Sequence, residues 1–292
     1  MTVSALSTTA ARPRKPFGWS RLLGRFLVYF LLTLGLSFTL LPFAMMILSS
    51  FKTNVEALRV PPTFWPQNFT VENYLKIFND PQLPLLRFYG NSAFVAVFNV
   101  CSTLFTSSLI GYMFAKFEFP GKRILFGWFL TMMMIPTQIT MIPSYLILAK
   151  LGLINSLWGL VIFSAVDAFG IFMMRQFCET LPTELLDAAR IDGASEWQIY
   201  WRIVLPQLGA PLATLGILGF MGNWNAYLWP MIVLQKIEVR TLPVILTWFN
   251  STHTGQPAVV MAATVLIVMP ILIVFLFFQR WIVQGFTMTG FK

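Results

Sequence analysis

Six long apolar runs take up half of this 292-residue sequence. Each is close to the roughly 20 residues that an α-helix needs to cross a bilayer, and helices satisfy their own backbone hydrogen bonds in lipid. Charged residues make up only 11% of the chain, against about a quarter in soluble domains. We therefore predict an all-α membrane protein with six transmembrane helices, at Phe26–Ser49, Ser92–Phe114, Ile124–Leu148, Ser156–Phe177, Leu208–Leu234 and Val259–Ile282.

The charge pattern predicts the side of the membrane that each end of the chain occupies. Residues 1–25 carry five basic residues and no acidic residue, which is typical of a cytoplasmic tail. A signal peptide is the alternative, but the first apolar run is too long for a signal core and lacks a small-residue cleavage site. Six spans return the C-terminal tail, 286–292, to the cytoplasm. The net charge of +9 therefore indicates membrane orientation, and nucleic-acid binding is not expected.

The stretch 50–90, between the first two apolar runs, is mixed in polarity and rich in proline. Its Trp65 and Phe69 suit a membrane interface, and we predict an external segment. The following residues, 91–285, form the predicted transmembrane core. Prolines inside the third, fifth and sixth runs predict bends, because proline removes a backbone hydrogen bond and clashes with the preceding turn; these are Pro136, Pro143, Pro211, Pro230 and Pro270.

The loop 181–206, which we call the elbow, is polar where its surroundings are apolar. A helix-forming block leads to Gly193, which turns the chain sharply at no steric cost. Ser195 and Gln198 have the spacing of a capping box that starts a second helix. Pro206 is expected to end that helix, because the residue before a proline is biased out of the helical region. We predict a helix, a glycine turn and a helix on the cytoplasmic side.

The elbow resembles the EAA loop of the membrane subunits of bacterial ABC importers. That loop reads Glu-Ala-Ala, three residues, Gly, nine residues and Ile-x-Leu-Pro, and the spacing here matches throughout. The one departure is Asp187, whose shorter carboxylate keeps the charge but reaches less far. The resemblance implies a type I ABC importer permease fold whose coupling helix contacts a separate ATPase through Glu184, Asp187, Ala188, Ala189, Asp192, Gly193, Ala194, Ile203, Leu205 and Pro206. An ordinary amphipathic cytoplasmic loop is the alternative.

The resemblance also implies partners, because this family works as a permease pair, an ATPase pair and an extracytoplasmic solute-binding protein in the bacterial inner membrane. The sequence offers no enzyme motif of its own. Gly121-Lys122 lacks the preceding glycine of a phosphate loop, and the single histidine, His253, gives little support for a catalytic triad or a metal site. We therefore predict no catalytic residue, metal or cofactor in this chain, with ATP and Mg²⁺ bound by the ATPase.

The fifth apolar run contains a polar and aromatic cluster that favours sugars. Amides hydrogen-bond hydroxyl groups, and aromatic rings offer apolar faces to sugar rings. The cluster, with the stretch from Phe51 to Tyr74, resembles the carbohydrate branch of the family, similar to the second membrane subunit of maltose-type importers. The candidate path residues are Asn223, Trp224, Asn225 and Tyr227. Helix packing through polar residues is one alternative. Others are import of glycerol phosphate or another small solute, or a secondary transporter, which would show an inverted repeat and several buried ionisable residues.

Asp167 is the one acidic residue inside a predicted span, near the middle of the fourth. An intramembrane charge is costly and is a functional candidate by default. We expect Asp167 to touch the translocation path, with Gly170 leaving room beside it. The alternative is a carboxyl group that faces a neighbouring helix or is protonated and hydrogen-bonded.

The external loop from Gln235 to Ala258 resembles the loop that meets the binding protein in maltose-type importers. The residues that this resemblance makes candidates for the contact are Arg240, Asn250, His253 and Gln256. A passive connector between the last two spans is the alternative.

Overall fold

The computed structural model describes residues 19–80 and 84–289, and no β-strand occurs within those ranges. The helices are α1 (Trp19–Ser50), α2 (Asn54–Ala57), α3 (Glu72–Phe78), α4 (Leu85–Lys116), α5 (Lys122–Met134), α6 (Thr137–Lys150), α7 (Leu157–Val161), α8 (Ala168–Glu179), α9 (Thr183–Ile191), α10 (Glu196–Ile199), α11 (Leu205–Gln207), α12 (Gly209–Trp224), α13 (Leu228–Val233), α14 (Leu242–Thr252) and α15 (Pro257–Thr289). A π-helical turn, Tyr200–Val204, joins α10 to α11. The all-α prediction is confirmed.

Three helices are long and apolar enough to cross a membrane: Leu23–Ser50 of α1, all of α4, and Pro257–Phe277 of α15. Two bent pairs, α5 with α6 and Glu196–Gln207 with α12, bring the number to five if each pair is one span. Helix α1 begins before the predicted span, and α15 continues into the predicted C-terminal tail. Residues 1–18 and 290–292 of the two predicted tails lie outside the described residues.

The third predicted span is wrong as a continuous helix, because α5 and α6 meet at an angle of 104°. Ile135 is extended, with ψ 118°, as expected for a residue that precedes proline. Pro136 then caps α6, while Pro143 is accommodated within that helix. The sequence predicted a kink at this place, and the structure has a sharp corner.

The fourth predicted span is also broken, since α7 ends at Val161 and α8 begins only at Ala168. The non-helical stretch is stabilised from α4, where Thr103 and Thr106 donate hydrogen bonds of 2.9 and 2.5 Å to two of its carbonyl oxygens. Such partners are what a helix break needs in an apolar environment. Asp167 therefore does not lie in the middle of a helix. Its carboxylate caps α8 and accepts the backbone N–H of Gly170 at 2.7 Å.

Helix α4 runs through the centre of the bundle and packs closely against α8 and α12. The expectation that Gly170 leaves open space is wrong, because a Cβ there would lie 2.3 Å from Oγ of Ser107. At Gly111, a Cβ would lie 2.6 Å from Cβ of Met174. These two glycines let the backbones of α4 and α8 approach each other, so both helices act as one unit beneath the elbow.

The predicted external segment is folded around the buried carboxylate of Glu56. That group accepts the backbone N–H groups of Gln67 at 2.8 Å and Asn68 at 3.2 Å, and the hydroxyl of Thr63 at 2.9 Å. The backbone amide of Gln67 is the largest cause that lowers the pKa of Glu56. Lys52 donates to the carbonyl oxygen of Thr63. The segment ends earlier than predicted, because α4 already begins at Leu85.

Candidate functional site

The elbow has the predicted form of a helix, a glycine turn and a helix. Helix α9 follows an extended Pro182, and Gly193 turns the chain with φ +82°. The capping box is present: the N–H of Gln198 donates to Ser195 Oγ at 3.3 Å, and the N–H of Ser195 donates to Gln198 Oε1 at 2.8 Å. Nothing lies within 4 Å of the position of a Cβ on Gly193. The backbone conformation, and not crowding, is therefore what requires glycine here.

The prediction that Pro206 ends the second helix is wrong. Leu205 is helical, with φ −58° and ψ −43°, and the helix continues through Pro206 to Gln207. The π-helical turn immediately before it gives the chain a wider backbone, which accommodates the proline ring. The direction changes instead at Leu208, where the chain bends by 76° into α12.

The elbow is held firmly against the ends of α4 and α8. Leu186, Ile199 and Tyr200 are at most 1% exposed and form one cluster with residues of both helices. Lys116, in the last turn of α4, donates to the carbonyl oxygen of Leu181 at 2.5 Å. The Tyr200 hydroxyl lies 2.7 Å from that of Ser108 on α4. Packed side chains and hydrogen bonds therefore connect the elbow directly to α4 and α8.

Arg190 joins the two arms of the elbow. Its Nη1 donates to Oδ1 of Asp187 at 2.7 Å, and its Nε donates to Oε1 of Glu196 at 2.8 Å. Glu196, and then Asp187, raise the pKa of Arg190. Tyr112 of α4 donates to the other oxygen of Glu196 at 3.3 Å. Asp187 thus has a cationic partner within the elbow, a role for Arg190 that the sequence analysis missed although the i, i+3 spacing permits it.

One apolar face of α9 is left uncovered. Leu185 and Ile191 are 43% and 86% exposed, and Ala188 between them is exposed as well. Ala189 is half-buried against the cluster beneath the elbow, so of the two alanines predicted to contact the ATPase only Ala188 is exposed. Of the other predicted contact residues, Ala194, Ile203 and Leu205 pack against the same cluster, while Glu184, Asp192 and Pro206 are exposed. The uncovered surface, which we call the α9 face, consists of Leu185, Ala188 and Ile191.

A cavity of about 490 Å³ lies between α4, α6, the broken fourth segment and the end of α12. Its lining is Val95, Asn99, Thr137, Thr140, Met141, Ser144, Leu160, Phe163, Ser164, Gly222, Asn223, Ala226, Trp229 and Pro230. Asn99 donates to Oδ1 of Asn223 at 2.6 Å and accepts from the hydroxyl of Ser164 at 2.5 Å. This network of two amides and one hydroxyl joins α4, α12 and the non-helical stretch between α7 and α8 at the cavity wall.

Only one of the predicted path residues, Asn223, lies in this lining. Trp224 points to the opposite side of α12, where it is 5% exposed and its Nε1 donates to the carbonyl oxygen of Ile267 at 3.3 Å. Asn225, Tyr227 and Asp167 are not among the lining residues. Asn99 and Ser164 were not among the predicted path residues, although an amide within an apolar run is a usable signal.

The predicted external loop contains a helix, α14, that the sequence analysis did not include. Arg240 precedes it and donates from Nη2 to the carbonyl oxygen of Gln235 at 3.1 Å. Asn250 is exposed on the helix, and the ring of His253 stacks on Phe249 at 4.0 Å between centroids. Gln256 accepts the N–H of Val259 at the start of α15. Contact with a binding protein stays a prediction for these four residues.

Comparison with known proteins gives three kinds of agreement. A family model described as "Binding-protein-dependent transport system inner membrane component" matches residues 107–288. The arabinooligosaccharides transport system permease protein AraQ of Halalkalibacterium halodurans is 35% identical, over 90% of this chain and 96% of the relative. The lactose transport system permease protein LacG of Rhizobium radiobacter is 34% identical, over 88% and 93%.

A solved structure has the same architecture over almost its whole length. It is the crystal structure of a bacterial ABC transporter involved in the import of the acidic polysaccharide alginate, matched with a TM-score of 0.79 at 25% identity. The match covers 91% of this chain and 99% of that one. The elbow, the broken spans and these likenesses agree, and the chain belongs to the family of binding-protein-dependent transport system inner membrane components.

Proposed function

We propose that this chain is one of two permease subunits of an ATP-driven importer in the bacterial inner membrane, with both termini in the cytoplasm. The single observation that carries the proposal is the elbow, which offers an exposed apolar face while its other side is fixed to α4 and α8. An exposed apolar surface on a rigid support is typical of a docking site for another protein. The occupant that we propose is a separate ATPase subunit that holds ATP and Mg²⁺.

The transport cycle follows from this attachment. Closure of an ATPase dimer around ATP would draw the elbows of the two permeases together. The packing of Leu186 and Tyr200 against α4 and α8 would carry that movement into the bundle. The cavity beside α4 would then change the side of the membrane to which it opens. A solute-binding protein would deliver the solute at the opposite end, where Arg240, Asn250, His253 and Gln256 lie on and around α14.

The solute that the cavity fits best is a neutral sugar, such as a disaccharide, an oligosaccharide or a polyol. Amide and hydroxyl groups of Asn99, Thr137 and Asn223 alternate with apolar side chains in its wall, and no charged residue is found among its lining within the described ranges. Such groups bond sugar hydroxyls without favouring an anion. Relatives named for arabinose oligosaccharides and lactose support this assignment. The alternative is an anion such as glycerol phosphate, for which the alginate importer offers an acidic precedent.

The experiment that tests this function is purification of the tagged chain with the proteins that accompany it from the native membrane. We expect an ATPase to copurify, and ATP hydrolysis to rise when a binding protein loaded with a neutral oligosaccharide is added to reconstituted vesicles. Absence of any ATPase would contradict the proposal. If only a binding protein loaded with an anionic solute stimulated ATP hydrolysis, the chain would still be an importer subunit, but its solute would be an anion and not a neutral sugar.

Asn223→Leu is expected to lower sugar uptake about tenfold, because it removes a hydrogen bond to the solute and leaves the Nδ2 donor of the buried Asn99 without its partner. Loss of a buried partner costs about 1–3 kcal/mol, and 1.4 kcal/mol corresponds to tenfold. Asn225→Leu is the matched control, since that side chain is exposed and lies outside the cavity lining. The measurement is uptake of radiolabelled sugar into vesicles at equal amounts of transporter. Equal uptake by the two variants would remove Asn223 from the path.

Asp187→Asn is expected to weaken coupling only partly, because the side chain is 57% exposed where it pairs with Arg190. Exposed ion pairs contribute about 0–1 kcal/mol. Asp187→Glu should retain the charge and the activity. The measurement is the amount of solute transported per ATP hydrolysed in vesicles. If aspartate, glutamate and asparagine support the same ratio, the charge has no part in coupling.

A further inference from the structure

A second cavity, of about 750 Å³, lies on the elbow side of the bundle. It is formed by the end of α4, the loop that follows, the first half of α5 and one side chain of α8. Its lining is Phe114, Glu118, Phe119, Gly121, Lys122, Arg123, Ile124, Phe126, Gly127, Leu130 and Arg175. We call this cavity the basic pocket. Its position beside the elbow follows from α4 and α8, both of which end at the elbow.

The lining of the basic pocket carries more positive than negative charge. Its lining contains three cationic side chains and one carboxylate. Glu118 pairs with Lys122 at 2.8 Å, and this partner lowers the pKa of Glu118. Arg123 is exposed and forms no hydrogen bond or ion pair with any residue in the described part of the chain, and its charge adds to that of Lys122 in lowering the pKa of Glu118. The lining of the pocket therefore keeps a net positive charge, because one carboxylate cannot balance three cations.

Arg175 is held at the wall of this pocket by an ion pair and by a contact with an aromatic ring, and neither involves its Nε. Its Nη2 pairs with Glu179 at 2.7 Å, and its guanidinium carbon lies 3.9 Å from the centroid of the Phe126 ring. Its Nε is buried and has no hydrogen-bond partner among residues 19–80 and 84–289. Because this Nε is shielded from solvent, what Arg175 offers to the pocket is the positive charge of its guanidinium group.

The start of α5 adds to the positive potential. Gly121 precedes the helix with φ +82° and offers no capping side chain. The first turn carries Lys122 and Arg123 and no acidic residue, so two cations lie at the positive end of the helix dipole. This arrangement is unfavourable by itself and becomes favourable when an anion is bound.

The rest of the pocket is apolar. The rings of Phe114, Phe119 and Phe126 form its wall, and Phe114 lies 5.6 Å from Phe119 and 5.5 Å from Phe126 between ring centroids. Helix α5 has no buried residue, and its Ile124 and Trp128 are 67% and 64% exposed. A small inorganic anion would use the cations and leave these surfaces uncovered. An anion that carries hydrocarbon chains would use both.

We propose that the basic pocket binds the phosphate headgroup of an anionic phospholipid, with its acyl chains along the exposed face of α5. Basic pockets between membrane helices on the cytoplasmic side are typical binding places for such headgroups. This inference rests on the proposed function in one respect, since it takes the elbow side as the cytoplasmic face. The phosphate lies between the positive charges of Arg123 and Arg175.

The test is native mass spectrometry of the assembled transporter, purified in mild detergent with phosphatidylglycerol and phosphatidylcholine in equal amounts. We expect the wild type to retain phosphatidylglycerol, and Arg123→Gln to retain about fivefold less, since one cation near a membrane surface is worth about that factor. Arg123 is exposed and its interaction with Glu118 is only a charge effect without a hydrogen bond, so this variant should fold as the wild type does. Lys150→Gln, an exposed lysine in the last turn of α6, should retain the lipid fully.

Three outcomes would overturn the proposal. Retention by Arg123→Gln equal to that of the wild type would show that the pocket does not hold the headgroup. Displacement of phosphatidylglycerol by excess inorganic phosphate would make the ligand a free anion. Retention by the isolated chain but not by the assembled transporter would show that the partner permease fills the pocket. Copurification of the ATPase is scored in the same samples, so failure of the proposed function is recognised separately.

Discussion

Replacing Gly193 by glutamate should abolish solute uptake while the chain remains in the membrane. Gly193 has φ +82°, a left-handed conformation that costs a residue with a Cβ about 1–2 kcal/mol. We expect the turn to shift in order to relieve that strain. The shift would disturb the amide hydrogen bonds of Gly193 and Ala194 at the end of α9, each 3.0 Å, because both depend on the present geometry of the turn. The two arms of the elbow would then meet at a different angle, and the α9 face would no longer fit its partner.

Gly193→Asn is the matched control for this prediction. Asparagine adopts the left-handed region more readily than most residues, and open space surrounds the Cβ position. We expect Gly193→Asn to keep most of the uptake and Gly193→Glu to lose it, at equal amounts of protein in the membrane fraction. Wild-type uptake by Gly193→Glu would show that the geometry of the turn is unimportant.

Ile191→Asp should release the ATPase from the permease. Ile191 is 86% exposed at the end of the α9 face, and complete burial of such a side chain contributes about 1.5–3 kcal/mol. Loss of that burial, with a carboxylate placed in an apolar groove, should weaken the complex by at least tenfold. The measurement is the ratio of ATPase to permease after affinity purification through a tag on the permease.

Two further variants control for the location and the chemistry of this change. Val60→Asp places the same charge on a side chain that is 93% exposed in the predicted external segment, and it should leave the ratio unchanged. Ile191→Leu keeps the apolar surface and should retain the ATPase. If Ile191→Asp copurifies with as much ATPase as Val60→Asp does, the α9 face is not the docking surface.

The elbow could be predicted from sequence because its shape depends on local rules. A glycine turn and a capping box are decided by residues within four positions of each other, and both are present at Gly193 and Ser195. The side of α9 that packs against the bundle was harder to predict. Neighbouring alanines point in directions 100° apart around a helix, and only tertiary packing shows that Ala189 turns inward. The continuation through Pro206 depends on a π-helical turn that has no sequence signal known to us.

The membrane segments were harder to predict than the elbow, because their breaks depend on residues that are distant in the sequence. Hydropathy located the apolar runs, but it is insensitive to a break that neighbouring side chains stabilise. The interruption before Asp167 is sustained by Thr103 and Thr106, about 60 residues earlier in the chain. The cavity likewise depends on Asn99 and Asn223, which are 124 residues apart and meet only after folding. The start of α14 was missed although Pro243, just after its first residue, is a known helix-start signal.

We propose that the elbow is the surface through which a separate ATPase drives this permease. The most direct test of this proposal is a photo-crosslinking amino acid placed at Ile191 and, as a control, at Val60, in transporter that retains uptake. We predict an adduct with the ATPase subunit from position 191, formed in higher yield when ATP is trapped, and none from position 60. An active transporter that forms no ATPase adduct from position 191, or the same adduct from both positions, would contradict the account.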